Sequence, residues 1–316
     1  MDFKTSHVRT FFSALSDEGL AHSTIKGFYG LLNPSFELAV EDGIIRKNPV
    51  TGTLGDYGAP AKEKEALTLE QQEKLLKFVE QSNVYKPHLP MMQVMFGACL
   101  RVSETIGLTW SDVDMKNREI HVGGQLVYYE GDEGYCFHDS ETKTDAGIRD
   151  IPMTQMVYDA FRKQRELNLM LGLQSNVEIG GRSGFIFNTK NGRPIMPAGV
   201  NSFLKNIVNA YNKKESKLAE EEKREPELMP PISSHTLRHT GCTRLGENNV
   251  NPKVMQYVMG HSDAQITMNV YNHIAEKSHV ENEMSKMNLP ETDLLWYKPC
   301  LLYTSPSPRD TERSRM

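Results

Sequence analysis

The chain has 316 residues, 38% of them hydrophobic and 24% charged, with a mean hydropathy of −0.51. That is room for two domains at roughly 100–200 residues each, and no apolar run approaches the ~18 residues of a membrane span. A net charge of −5 and a pI near 6.1 argue against a uniformly basic nucleic-acid binder, although a concave basic face can coexist with acidic outer helices. The four cysteines, Cys99, Cys136, Cys242 and Cys300, are far apart without CxxC spacing. They read as reduced thiols, neither a disulfide frame nor a zinc site. The N-terminus lacks the apolar core of a signal peptide, which places the chain in the cytoplasm and off the membrane.

Residues 6–49 read as helices. Ser6 is placed to cap a segment with Val8, Phe11, Phe12 and Leu15 on one face, stopped at Gly19. Ser23 is placed to cap the next, with Ile25, Phe28, Leu31 and Leu32 inward, and Pro34 should kink or interrupt it. Residues 51–66, rich in glycine and then charge, have linker chemistry, and the domain boundary falls there. The expected division is a helical unit over 1–58, a linker over 59–66, a second domain over 67–290 and a tail over 291–316.

The second domain opens at Thr68-x-x-Gln71, a capping box ahead of Leu75, Leu76, Phe78 and Val79. Pro90–Leu100 reads as a buried helix. Glu119–Val122, Gln125–Tyr129 and Ile148–Pro152 read as strands of one small antiparallel sheet, the last two joined by a polar hairpin. Met156–Leu171 is helical in period, Phe185–Phe187 suggests a short strand turned by Asn191–Gly192, and Val200–Tyr211 begins a helix that runs into a charged stretch. That stretch, Asn212–Glu227, has five basic and six acidic residues and reads as a solvated helix or loop. Short helices follow from Ser233, one opened by Asn251 as cap with Pro252 behind it.

Chemistry concentrates near the end. Five of the ten histidines lie between His235 and His279. On a helix His235 and Arg238 are three apart and share a face, a pair suited to a phosphate: the guanidinium binds two oxygens and the imidazole moves a proton. His235 and His239 have the spacing of a zinc HExxH helix, but Thr236 replaces the glutamate and the metal reading is rejected. Tyr271 lies ten residues after His261, and alone would be an ordinary core tyrosine. Arg101 directly after a buried helix is an odd place for an unpaired cation, and Lys143 on a polar hairpin can reach into a cleft.

Arg101, Lys143, His235-x-x-Arg238, His261 and Tyr271 follow the order and contexts of the tyrosine recombinases, and the chain resembles that family from about Val8 to Asn282. The wording agrees: RVSE then GLTWSDVD around Arg101, a KT hairpin then RDIP around Lys143, MGHSD around His261. The charged insertion before Pro230 most resembles integrases of conjugative transposons. The resemblance implies a mainly α fold with a small antiparallel sheet, built from a helical core-DNA-binding domain and a catalytic domain of the DNA breaking-rejoining type. It implies that Tyr271 attacks a DNA phosphate and stays bound as a 3′-phosphotyrosine. Arg101 and Arg238 would hold the non-bridging oxygens, His235 would exchange the tyrosine proton, and Lys143 would protonate the departing 5′-oxygen. His261 would donate a further hydrogen bond, and Glu104 would orient a neighbouring basic group. No cofactor or metal is implied. The partners implied are double-stranded DNA at attachment sites, three further copies in a tetramer on DNA, and an excisionase or DNA-bending host protein.

Three features depart from the family pattern. The chain's length leaves no room expected for an arm-binding domain ahead of the helical unit, that unit reads as short of a first helix, and Lys298–Met316 reads as a disordered or non-native tail. A Xer-type recombinase and a type IB topoisomerase would use similar residues. A DNA-binding protein without activity, or a helical domain whose polar residues only satisfy the core, are the rivals from other classes.

Overall fold

A computed structural model describes residues 3–60, 66–131, 134–141, 147–265 and 267–268. The chain divides into two compact units, Met1–Glu65 and Ala66–Met316.

In the first unit, α1 (Thr5–Asp17) and α2 (His22–Glu41) share a core of Val8, Phe12, Ile25 and Val50. The caps lie earlier than the serines suggest. Lys4 precedes α1, its N–H donating to His7 Nδ1, and Ala21 precedes α2, where the His22 N–H donates to the Ala59 carbonyl. That bridge holds Ala21 extended and so fixes where the helix begins. The inward face of α2 is also rotated. Tyr29, Leu32 and Phe36 pack on the core with Ile25, while Leu31 is 71% exposed and Phe28 is exposed as well. Spacings of three and four both fit a helix, and a two-helix unit covers only one stripe. Helix α2 runs on through Pro34. Proline removes one N–H, and the Gly30 carbonyl it would have met is on the exposed side where water serves it.

Part of the segment read as linker packs on the first unit: Thr53 is buried, the Tyr57 ring lies 6.0 Å from Phe12, and the His22 Nδ1–H donates to the Tyr57 carbonyl at 2.7 Å.

In the second unit α3 (Leu69–Gln81) begins at the Thr68 capping box. Helix α4 (Leu89–Gly97) is apolar on every side, and seven of its nine residues are buried, as expected of a helix at the centre of a core. Helix α5 (Val102–Gly107) follows after a turn in which Cys99 adopts φ 52°. Strands β1 (Val113–Asp114), β2 (Glu119–Val122), β3 (Gly124–Gly131), β4 (Gly134–Glu141) and β5 (Arg149–Pro152) form two sheets. One has the order β1-β2-β5, with Ile120 opposite Ile151. The other is a hairpin of β3 and β4, with Tyr128 opposite Phe137.

The single sheet expected from the sequence is therefore corrected. β3 pairs with β4, a strand the sequence reading missed because GYCFHDSE mixes glycine and polar residues into its alternation. Phe185–Phe187 is buried but is no strand; it holds only an isolated bridge between Phe185 and Thr109.

Helix α6 (Gln155–Leu171) packs on α4, and α7 (Pro197–Glu222) carries most of the charged stretch on exposed turns. Helix α8 (Ser234–Glu247) and α9 (Pro252–Met259) complete the described core, capped by Ser233 and Asn251. Helix α8 crosses α4 at Gly241, where a Cβ would meet the Phe96 carbonyl oxygen at 2.2 Å. That close approach brings Arg238, one turn earlier, against the residues that follow α4. No helix among the described residues is long and apolar enough to cross a membrane.

Candidate active site

Glu104 is the hub of the site. It lies in the first turn of α5, is 2% exposed, and accepts from the Arg101 backbone N–H at 2.8 Å and from Arg101 NH1 at 2.7 Å. Arg149, the first residue of β5, donates to both Glu104 oxygens, at 3.0 and 3.3 Å. Arg238 NH1 stands 3.7 Å away on the third side. One carboxylate thus holds three guanidinium groups. Burial alone would raise its pKa, but the Arg149 hydrogen bond and charge, the Arg101 N–H and Arg238 together hold the Glu104 carboxyl below its ordinary value.

The same arginines close the end of α9. Its last carbonyls have no helical partner and sit at the negative end of the dipole. Arg149 Nε donates to the Val258 carbonyl at 2.8 Å, Arg238 NH2 to the Met259 carbonyl, and Arg101 NH2 to the Gly260 carbonyl at 3.1 Å. Arg238 NH1 donates to the Cys99 carbonyl at 2.6 Å, which the left-handed turn at Cys99 presents. Four elements (α5, β5, α8 and α9) are therefore pinned to one another by side chains on successive carbonyls.

The arginines are not equivalent. The Arg149 side chain is 0% exposed and committed to Glu104, while that of Arg101 is 35% exposed. Arg238 is buried; desolvation, then the neighbouring Arg101, lowers its pKa to about 10, so it stays charged at neutral pH. His261, half-buried after α9, has its Nε2 3.1 Å from Arg238 NH2 and its Nδ1 3.0 Å from Thr267 Oγ1. Burial, then Arg238 and Arg101, lowers its pKa to about 4, so the ring is neutral. Three cations against one carboxylate leave a positive excess at Arg101 and Arg238 beside the neutral His261 ring, an arrangement that suits a phosphate diester.

Of the residues singled out from the sequence, the structure brings together Arg101, Glu104, Arg238 and His261. His235 stands exposed in the first turn of α8, three residues before Arg238. Lys143 and Tyr271 lie outside the described residues, as does Cys300. Arg149 was missed as a site residue. The signal was present: an arginine on the inward register of a strand whose Ile151 is buried has to find a buried anion. Cys99, Cys136 and Cys242 are free thiols. Among the described residues no cluster of three metal-ligating side chains occurs.

A mainly helical domain with small antiparallel sheets and three arginines gathered on one carboxylate has the catalytic fold of the tyrosine recombinases. The chain belongs to the phage integrase family, whose profile matches residues 65–278. It is 33% identical over 292 residues to the transposase from transposon Tn916 of Enterococcus faecalis, covering 90% of this chain and 66% of that relative. It is 24% identical over 297 residues to the integrase of Staphylococcus phage L54a, covering 88% and 78%. Among solved structures it is similar to the Tn1549 transposon integrase in complex with transposon right end DNA. The TM-score is 0.79 at 32% identity, covering 91% of this chain and 86% of that one. A lambda integrase dimer bound to a core site shares the fold at a TM-score of 0.52 and 16% identity.

Proposed function

We propose that this chain is a site-specific DNA recombinase that cuts and rejoins duplex DNA for the integration and excision of a mobile element. The observation that carries the reading is the cluster in which Arg101 and Arg238, fixed by Glu104 and by the end of α9, stand beside His261. Tyr271 attacks the phosphorus and is left as a 3′-phosphotyrosine. Two fixed guanidiniums hold the non-bridging oxygens where negative charge builds, without reorganising at the moment of reaction. They also favour the phenolate of a group whose ordinary pKa of about 10 makes it a poor nucleophile. His235 exchanges the tyrosine proton, Lys143 protonates the departing 5′-oxygen, and His261 donates to the phosphate. The phosphotyrosine keeps the energy of the broken bond, so rejoining is the same step reversed.

The proposed partners are duplex DNA at attachment sites and three further copies on two duplexes, with an excisionase or DNA-bending protein as accessory, in the cytoplasm. The helical first unit, residues 1–58, would add its own contacts to the duplex. Supporting this are the Tn1549 structures with transposon-end and circular-intermediate DNA. The test is a pool of nicked duplexes from DNA flanking the gene, incubated with the parent chain and with Tyr271→Phe. A covalent adduct that survives denaturation with the parent and is lost in the variant is expected. Tight DNA binding with no adduct from either would sink the recombinase reading in favour of a DNA-binding protein.

A further inference from the structure

Guanidinium nitrogens only donate. Arg238 NH2, 3.1 Å from His261 Nε2, therefore makes that nitrogen an acceptor. In a neutral ring the proton then sits on Nδ1, which donates to Thr267 Oγ1 at 3.0 Å. The charged groups around the ring, Arg238, Arg101 and Arg149 against Glu104, keep it from taking a second proton. In the free protein His261 therefore turns a lone pair toward Arg238. A phosphate oxygen is itself an acceptor, so the ring has to present an N–H there instead.

We propose that Thr267 is a positioning residue that serves both tautomers of His261. Thr267 is 1% exposed and its hydroxyl meets the far nitrogen of the ring, well placed to steer the ring but not to touch DNA. Without DNA its hydroxyl oxygen accepts from Nδ1–H. When a phosphate oxygen takes up the Arg238 N–H, the Nδ1 proton is lost to water and another is gained at Nε2, with no net change of charge. The Thr267 hydroxyl then rotates and donates to the bare Nδ1. A hydroxyl does both because it is donor and acceptor at once; valine of the same shape does neither. The inference rests on the reading of His261 as a phosphate donor and adds the residue that lets it be one.

The experiment is nitrogen NMR of the whole chain labelled with 15N-histidine, comparing the parent with Thr267→Val and Thr267→Ser, with and without sodium phosphate as the probe. In the free parent the ring should be the Nδ1–H tautomer. In Thr267→Val both tautomers lose a hydrogen bond of similar size at Nδ1, so their ratio should change by less than about twofold while the Nδ1 resonance moves to its unbonded shift, and Thr267→Ser should restore the bonded shift. Added phosphate should move the parent and the serine variant toward Nε2–H with Nδ1 still hydrogen-bonded, whereas the valine variant should show an unbonded Nδ1 with and without phosphate. An Nε2–H ring in the free parent, or an Nδ1 shift that the valine substitution leaves unchanged, overturns the proposal. Failure of Tyr271 to form an adduct would leave the free-state tautomer untouched, so the two ideas fail separately.

Discussion

Replacing Glu104 by glutamine keeps the side chain's shape and removes the charge that three arginines share. The carboxylate accepts four hydrogen bonds, two from Arg101 and two from Arg149. Glutamine offers one oxygen, and its amide N–H groups face a guanidinium that cannot accept. Arg149, 0% exposed, would be left as an enclosed cation without its anion. Removing one partner of a buried ion pair costs about 3–5 kcal/mol. For a domain of this size that corresponds to a fall in Tm of roughly 6–20 °C. Urea denaturation at pH 7, read as a midpoint shift at constant slope, measures it directly. The double variant Glu104→Gln, Arg149→Met removes the stranded charge as well and should recover more than half of the loss. A loss below about 1 kcal/mol in the single variant, or no recovery in the double, would refute the view that Glu104 is the counter-charge of this core.

Other consequences concern pH, packing and thiol reactivity. The folded His261 pKa, near 4, lies below the ordinary 6.5. The unfolded chain therefore binds the proton first, and the stability this group contributes is complete above pH 6.5 and lost as pH falls toward 4. His261→Gln should flatten the decline in Tm across that window relative to the parent; an unchanged slope would assign it to other groups. Gly241→Ala puts a Cβ 2.2 Å from the Phe96 carbonyl oxygen, so it should cost about 1–3 kcal/mol in urea unfolding and slow single-turnover cleavage by displacing Arg238. Burial raises the Cys99 thiol to about 12 and the Cys242 thiol to about 11. Both should resist iodoacetamide in the native chain while the half-buried Cys136 is labelled ahead of them, as peptide mapping would record.

Periodicity and capping chemistry revealed most of the helices, because α3 and α9 carry their own start signals in Thr68 and Asn251 and α6 shows its period. Sheet pairing was harder to read. Whether β3 meets β4 or β5 depends on where a polar hairpin turns, and alternation within a strand does not record its partner. In the site, Arg101, Arg238 and His261 were legible as an ordered set of cations and a histidine. Arg149 was not, because its role comes from burial opposite Glu104, 45 residues away in sequence. The tautomer of His261 was equally hidden, since it follows from Arg238 on one side of the ring and Thr267 on the other.

The central claim is that the covalent bond to DNA forms at Tyr271. Trypsin should release it in the peptide Val254–Lys277, which also contains Tyr257. Tandem mass spectrometry of the nuclease-trimmed adduct can therefore distinguish the two phenols within one fragment. Attack by Tyr271 leaves a nucleotide phosphodiester on Tyr271 and an unmodified Tyr257. A modification on Tyr257, or on any residue outside that peptide, would contradict it.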